Sequence, residues 1–292
     1  MSAGEHIAGP RRAASRRGGS GLDWGLRLVF GLLLAALALA AMVKGGVWFA
    51  GFIAAVTITG LYEWHRMVGG QDYTRYAVIG TLGLAAALVA PLLAPQLASD
   101  VPFLILGGTA LLDLAVAAGA GAQPLWQAAG PLYLGIPGVA LFDLRANSVH
   151  GLWLVLILFA AVWAADTGAL VSGKLIGGPK LAPVLSPNKT WAGFVGGTAL
   201  AALAVGLVVA VLGGNFLSGA AAGLVLALAG HAGDLFESWV KRRVGRKDSG
   251  NLIPGHGGVL DRIDSILFAV PVCAVLVYLF DAHSLLGFGA QP

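Results

Sequence analysis

Residues 233–265, GDLFESWVKRRVGRKDSGNLIPGHGGVLDRIDS, form a dense polar island in a chain of which only 11% is charged. The island contains two groups of carboxylates, a basic run and a glycine-rich turn with a histidine. Apolar runs precede and follow it. The rest of the sequence is therefore interpreted as the means of holding this island at a membrane surface.

The composition is that of a membrane protein. Of 292 residues, 58% are hydrophobic, whereas soluble domains have about 45–50% apolar and about 25% charged residues. Apolar runs of roughly 18–23 residues, enough to cross about 30 Å of hydrocarbon, recur along the chain. The sequence predicts an all-α, polytopic integral membrane bundle of about nine helices, at residues 24–43, 46–62, 76–94, 101–119, 125–142, 151–171, 191–212, 216–232 and 263–280.

The basic residues predict the orientation of these spans. If the N-terminus is cytoplasmic, nine crossings leave only Lys44 and Arg145 of the 18 lysines and arginines outside, which is the positive-inside pattern. Omitting the fifth span, which is rich in proline and glycine, would place both large basic loops outside. We therefore expect a cytoplasmic N-terminus and an external C-terminus, and we attribute the net charge of +4 to the membrane surface and not to nucleic acid.

Three regions follow from this interpretation. Residues 1–21 are expected to be a disordered, basic cytoplasmic tail, and the first apolar run is interpreted as a retained helix and not a signal peptide. Residues 22–145 are expected to be scaffold helices. Residues 146–292 contain all three polar clusters described below and are expected to carry the catalytic site.

Two of the polar clusters lie at the inner ends of spans six and seven. Asp166 is an acid inside an apolar run, which suggests function, although it could also reach the interface or cap a helix; Asp113 in span four is a weaker candidate. The stretch 186–191, SPNKTW, offers hydroxyls, an amide and a lysine at the predicted start of a helix, where backbone N–H groups favour phosphate. Ordinary N-capping by Ser186 or Asn188 is the alternative.

The third cluster is the polar island itself. If span eight stays helical beyond its apolar run, one helix face carries three polar residues spaced at i, i+4 and i+7, which are Asp234, Ser238 and Lys241, with Glu237 beside them. A second pair, Asp261 and Asp264, opens the last span. Carboxylates from two helices beside basic residues suit a divalent metal bound to phosphate oxygens. The residues alone thus predict metal-dependent handling of a phosphorylated substrate at the inner leaflet.

The same residues resemble a known family. The segments 238–242 (SWVKR), 247–248 (KD) and 256–264 (HGGVLDRID) resemble the signature of phosphatidate cytidylyltransferases, and 164–169 (AADTGA) and 186–191 (SPNKTW) are similar to the family's other two motifs. The similarity extends over roughly residues 22–280. It implies that CTP and phosphatidate give CDP-diacylglycerol and pyrophosphate in phospholipid biosynthesis. It also implies Mg²⁺, alone or with a second metal cation, contact with membrane lipid and, as an option, a homodimer.

The resemblance assigns roles residue by residue. Asp234 and Asp261 would be the metal ligands, and these two aspartates with Lys241 and His256 would form the catalytic group. The role of His256 stays open between proton relay and a phosphate-binding turn. The substrate-binding residues would be Ser186, Asn188, Lys189, Thr190, Ser238, Arg242, Lys247, Asp248, Gly257, Gly258 and Arg262, with Asp166 and Asp264 in support.

Two alternatives remain at the level of sequence. An ion-coupled transporter could line a path with Asp113, Asp166 and Asp234, but it would spread ionisable residues across the membrane depth. A different lipid-phosphate enzyme, such as a lipid kinase, would use the same charges without releasing pyrophosphate. The enzyme reading predicts an integral protein of a bacterial-type inner membrane, with its site facing the cytoplasm.

Overall fold

The computed structural model describes residues 21–96, 99–148, 150–250, 252 and 257–280, with the backbone alone at 21–30, 32 and 71. Within this part, nine α-helices follow one another: α1 Gly21–Lys44, α2 Gly46–Val68, α3 Tyr73–Leu93, α4 Val101–Gly119, α5 Pro124–Asn147, α6 Gly151–Leu175, α7 Trp191–Val211, α8 Phe216–Arg243 and α9 Leu260–Phe280. A 3₁₀ turn, Gly70–Asp72, separates α2 from α3. The predicted tail lies outside the described residues, except Gly21, which begins α1.

The helices confirm a polytopic membrane protein. In the described part, the eight helices from α2 to α9 are long and apolar enough to cross a bilayer. Helix α1 has 24 residues, but its described apolar portion, Leu33–Lys44, is shorter than a membrane span. The nine predicted helices are present, and eight of them qualify as spans in the described part; their bounds agree within about three residues, apart from longer polar ends on α2, α5, α6 and α8.

Contacts between helix ends separate two faces of the bundle. At one face the Arg145 guanidinium of α5 donates to the last carbonyls of α1, from Nε to Met42 O at 2.8 Å and from Nη2 to Val43 O at 3.2 Å. These carbonyls have no partner within the helix, so Arg145 satisfies them. The polar island lies at the opposite face, where Arg246 Nη2 donates to Arg66 O at 3.2 Å.

Helix α5 lies at the centre of the bundle. Its most apolar window is 61% buried in the protein and has a mean hydropathy of only 1.2. Pro131 and Pro137 are both buried inside it. A helix enclosed by other helices contacts little lipid, so it needs less apolar sequence. This explains why the fifth span has the weakest sequence signal and is nevertheless a continuous helix.

A small antiparallel hairpin is the one departure from an all-helical fold in the described residues. Strand β1, Lys180–Ala182, pairs with β2, Ser186–Thr190. Helix α7 begins at Trp191 as predicted, and Ser186, Asn188 and Lys189 precede it on β2. The alternative of N-capping by Ser186 or Asn188 is wrong, because Thr190 caps α7 through its Oγ1, which accepts the amide hydrogen of Gly193 at 3.1 Å.

Candidate active site

The polar end of α8 forms one wall of the site. The helix continues through Arg243 and has 28 residues, so the conditional prediction that Asp234, Ser238 and Lys241 share a face is confirmed. Four side chains of this end make the polar contacts described next: Asp234, Glu237, Lys241 and Arg242. The helix thus carries its charges from the membrane interior to the polar face.

Lys241 joins α8 to α9. Its Nζ lies 2.7 Å from Glu237 Oε2 and 2.8 Å from Asp261 Oδ1. The side chains are 13%, 0% and 11% exposed, respectively. Charge-assisted hydrogen bonds of this length are the stronger ones in proteins. Because the three groups are largely withdrawn from solvent, removing one partner would leave a costly unpaired charge.

The loop between α8 and α9 wraps around Asp261. The amide of Ser249 donates to both carboxylate oxygens at 3.2 Å, and the amide of Gly258 donates to Oδ2 at 2.9 Å. Gly257 adopts a φ of +84°, and a Cβ there would stand 3.0 Å from Asp261 Oδ2. The Gly257–Gly258 backbone thus closely approaches a carboxylate of the protein itself. This contact holds Asp261 in a fixed orientation.

Glu63 of α2 is a component of the site that the sequence interpretation missed. It is 1% exposed, and its Oε2 accepts hydrogen bonds from the Leu260 amide at 2.8 Å and from Ser249 Oγ at 3.3 Å. Glu63 therefore caps the first turn of α9 from another helix and holds the loop around Asp261. The available signal was an acid directly after the predicted span 46–62, at the same end of the bundle as the polar island.

A second lysine–carboxylate pair connects the hairpin to α8. Lys189 Nζ of β2 is ion-paired with Asp234 Oδ2. Arg242 Nε donates to Leu185 O, in the turn of the hairpin, at 3.2 Å. Because of these two contacts, the SPNKTW segment lies against the polar end of α8. Two of the predicted polar clusters thus belong to one site.

Further acidic groups surround these pairs. Asp166 of α6 interacts electrostatically with Asp234 and Lys189, so the cluster predicted at the inner end of span six belongs to the same region. Asp264 of α9 accepts a hydrogen bond from the amide of Ser265 at 2.7 Å. It also interacts with Asp234 and with Glu237.

Tyr133 of α5 is a second group that the sequence did not indicate. Its hydroxyl is buried, has no hydrogen-bond partner among the described residues and faces the charges of Glu237, Asp264 and Asp234. Beneath it, aromatic rings pack together: Tyr133 and Phe236 have ring centroids 5.3 Å apart, and Phe236 and Phe268 have centroids 5.4 Å apart. This apolar floor separates the carboxylates from the membrane interior.

The remaining predicted residues lie around this centre or outside the described part. Ser186 and Ser238 are partly buried, whereas Asn188, Lys247, Asp248 and Arg262 are exposed. His256 falls in the undescribed segment of the loop, so its role stays a prediction. Asp113 is fully buried in α4, and its two carboxylate oxygens have no hydrogen-bond partner among the described residues.

The predicted metal pair is held by lysines in this structure. Among the described residues, no group of three or more histidine, cysteine, aspartate or glutamate side chains converges as a metal site. Lys189 contacts Asp234, and Lys241 contacts Asp261. The carboxylates Asp234, Glu237, Asp261 and Asp264 nevertheless outnumber these two lysines. The surplus of hard oxygen donors fits a cation such as Mg²⁺, which commonly takes one or two carboxylates together with substrate phosphates.

Comparison with known proteins identifies relatives over most of the chain. A model described as the cytidylyltransferase family matches residues 25–280. A phosphatidate cytidylyltransferase of Brucella suis is 39% identical over 258 residues, which are 88% of this chain and 92% of the relative. One of Pseudomonas aeruginosa is 39% identical over 280 residues, covering 86% of this chain and 96% of the relative. The matched region includes every described element of the site.

Proposed function

Because the chain belongs to the cytidylyltransferase family, we propose that it transfers a cytidylyl group from CTP to phosphatidate, giving CDP-diacylglycerol and pyrophosphate. The observation that carries the proposal is the pair of lysine–carboxylate contacts, Lys189 with Asp234 and Lys241 with Asp261, at the polar end of membrane-spanning helices. Such a site can bind a soluble nucleotide and a lipid headgroup together. This combination is what the reaction requires.

The reaction needs positioning and charge neutralisation more than covalent chemistry from the protein. A phosphate oxygen of phosphatidate attacks the α-phosphorus of CTP and forms a new P–O bond. The bond from the α-phosphorus to the bridging oxygen breaks, and pyrophosphate leaves with the electron pair. Phosphatidate is already an anion, so the attack needs no general base.

The basic residues of the site neutralise the phosphates. Lys189 and Lys241 are held by carboxylates in largely buried positions, where their charge is effective because water screens it little. Arg242 is fixed by Leu185 O and by Arg246 O, the latter at 3.2 Å from Nη1. We assign Lys189 and the neighbouring hairpin residues to the nucleotide, and Arg262 at the start of α9 to the lipid phosphate.

Mg²⁺ is the proposed cofactor, with Asp234 and Asp261 as its ligands. When bound, it would neutralise charge on the phosphate oxygens. Asp261 already accepts hydrogen bonds from three donors, Lys241, Ser249 and Gly258. If Asp261 holds the cation, Lys241 would turn from Asp261 toward the substrate phosphates and neutralise their charge there.

We place the protein in a bacterial-type inner membrane, with the site facing the cytoplasm. The support is the distribution of charge, since Lys44 and Arg145 lie at the face opposite to the polar island. CTP is available in the cytoplasm, in agreement with this orientation. A homodimer remains an expectation from the family resemblance.

Pyrophosphate release by purified protein in detergent tests the proposal. With CTP, dioleoyl phosphatidate and Mg²⁺, we expect one pyrophosphate for each CDP-diacylglycerol, and no release when either substrate is omitted or the metal is chelated. A lipid kinase would consume nucleotide without pyrophosphate. Ion flux in proteoliposomes without CTP would favour a transporter. Either result, with no CDP-diacylglycerol formed, would contradict the proposal.

A further inference from the structure

An apolar cavity opens beside the site, between α1, α2, α5, α6 and α9. Its volume is about 550 Å³. Its walls include large hydrophobic side chains from four of these helices, namely Phe52, Val56, Leu141, Phe159, Trp163 and Ile266. One end reaches Val259 and Arg262 at the start of α9. The cavity therefore ends beside the first turn of α9, although Asp261 itself does not line it.

The lining of the cavity suits hydrocarbon. Its two threonines turn their hydroxyls to their own helix, since Thr57 Oγ1 donates to Ile53 O and Thr59 Oγ1 donates to Ala55 O, each at 2.6 Å. Among the described lining residues, Arg262 is the only charged one. A nucleotide would lose its hydrogen bonds to water here without replacement. An alkyl chain makes no hydrogen bonds to water, so it would lose none in the cavity.

The length of the cavity matches one leaflet. From Arg262 to Val270, α9 lines it over roughly 12 Å at 1.5 Å per residue. One leaflet contributes roughly half of the 30 Å hydrocarbon core. A lipid in the leaflet nearest the site would therefore place its headgroup at Arg262 and one acyl chain along α9.

We propose that this cavity binds an acyl chain of the lipid phosphate substrate and thereby sets its phosphate at Arg262, which is adjacent to Asp261 in the sequence. The inference rests on the proposed function and adds to it the binding site of the lipid. Arg262 supplies the charge that distinguishes a lipid phosphate from a zwitterionic lipid. The apolar wall supplies affinity that increases with each methylene buried.

Ala55 offers a way to test the cavity. It is exposed and lines the cavity, and it lies roughly 12 Å along α2 from Glu63 at 1.5 Å per residue. A phenyl ring at this position would fill the part of the cavity far from Arg262. It would displace no packed side chain, because Ala55 is exposed. Long acyl chains reach this level, whereas hexanoyl chains end before it.

For Ala55→Phe we expect kcat/KM for dioleoyl phosphatidate to fall about fifteenfold, because excluding two methylenes costs a factor of about four each. The KM for CTP and the kinetics with dihexanoyl phosphatidate should stay unchanged. The matched control is Ala199→Phe, the same replacement at an exposed alanine of α7, which should leave all three parameters unchanged. The inference is wrong if wild-type protein makes CDP-diacylglycerol and the two variants behave alike at both chain lengths.

A binding measurement separates this inference from the proposed function. Phosphatidate with a photoreactive diazirine at mid-chain should crosslink to α2 or α9 in wild-type protein, and unlabelled phosphatidate should compete more strongly than phosphatidylcholine. Equal competition would mean that bulk lipid fills the cavity and would overturn the inference. Selective crosslinking by a protein that makes no CDP-diacylglycerol would preserve the lipid site and reject the proposed reaction.

Discussion

Replacing Glu63 by alanine removes the acceptor that ties α2 to the first turn of α9. The Leu260 amide and Ser249 Oγ both lose this acceptor. Both residues are buried, since Leu260 is 0% exposed and Ser249 is 1% exposed. A hydrogen bond to a charged group contributes about 1.5–3 kcal/mol, so the variant should lose about 3–6 kcal/mol of local stability. Because Ser249 also donates to Asp261, the carboxylate should lose its fixed orientation and kcat should fall.

The single cysteine of the chain allows stability to be measured in detergent. Cys273 is 4% exposed, so a thiol-reactive fluorophore reports unfolding on heating. Glu63→Ala should react at a lower temperature than wild type, and Glu63→Gln, which keeps one acceptor oxygen for Leu260, should lie between them. The control is Asp72→Ala, which breaks only an exposed pair with Arg75 worth about 0–1 kcal/mol. If Glu63→Ala has the same labelling temperature and the same kcat as that control, the assigned role of Glu63 is wrong.

Three further predictions concern the site. Asp234→Asn and Asp261→Asn should each abolish pyrophosphate release while the amount of protein in the membrane stays unchanged; near-normal rates in either would exclude it as a metal ligand. Lys241→Met leaves two acidic partners unpaired and should lose about 3–5 kcal/mol, so its Cys273 labelling temperature should fall well below that of the exposed control Lys174→Met. Thr190→Val removes the cap of α7 at a cost of about 1 kcal/mol, and Thr190→Ser should restore the wild-type melting temperature if the cap is the cause.

The helices could be predicted because each depends on its own residues. An apolar run long enough for the bilayer specifies a membrane helix, and charges placed at one end specify which ends share a face. The spacing of Asp234 and Lys241 therefore correctly predicted that both lie on one face of α8, once the helix was assumed to continue beyond its apolar run. Even α5 was found, although its sequence signal is weak, because the distribution of basic residues required another crossing.

The contacts that complete the site depend on distant parts of the chain. Glu63 and Leu260 are 197 residues apart, and no local pattern relates them. The hairpin was missed because β2 is a strand of five residues that contains proline and lies directly before a helix. Ion pairing of Lys189 with Asp234 likewise follows from how the hairpin folds back onto α8. Sequence motifs indicated which residues matter, and packing decided which of them meet.

The position of a radioactive label tests the central claim most directly. CTP labelled at the α-phosphate and CTP labelled at the γ-phosphate are each incubated with phosphatidate, Mg²⁺ and purified protein, and lipid and aqueous phases are counted. We predict that the α-label enters the lipid as CDP-diacylglycerol and that the γ-label stays in water as pyrophosphate. Transfer of the γ-label to lipid would contradict the account, because it would mean that the site moves a phosphoryl group and not a cytidylyl group.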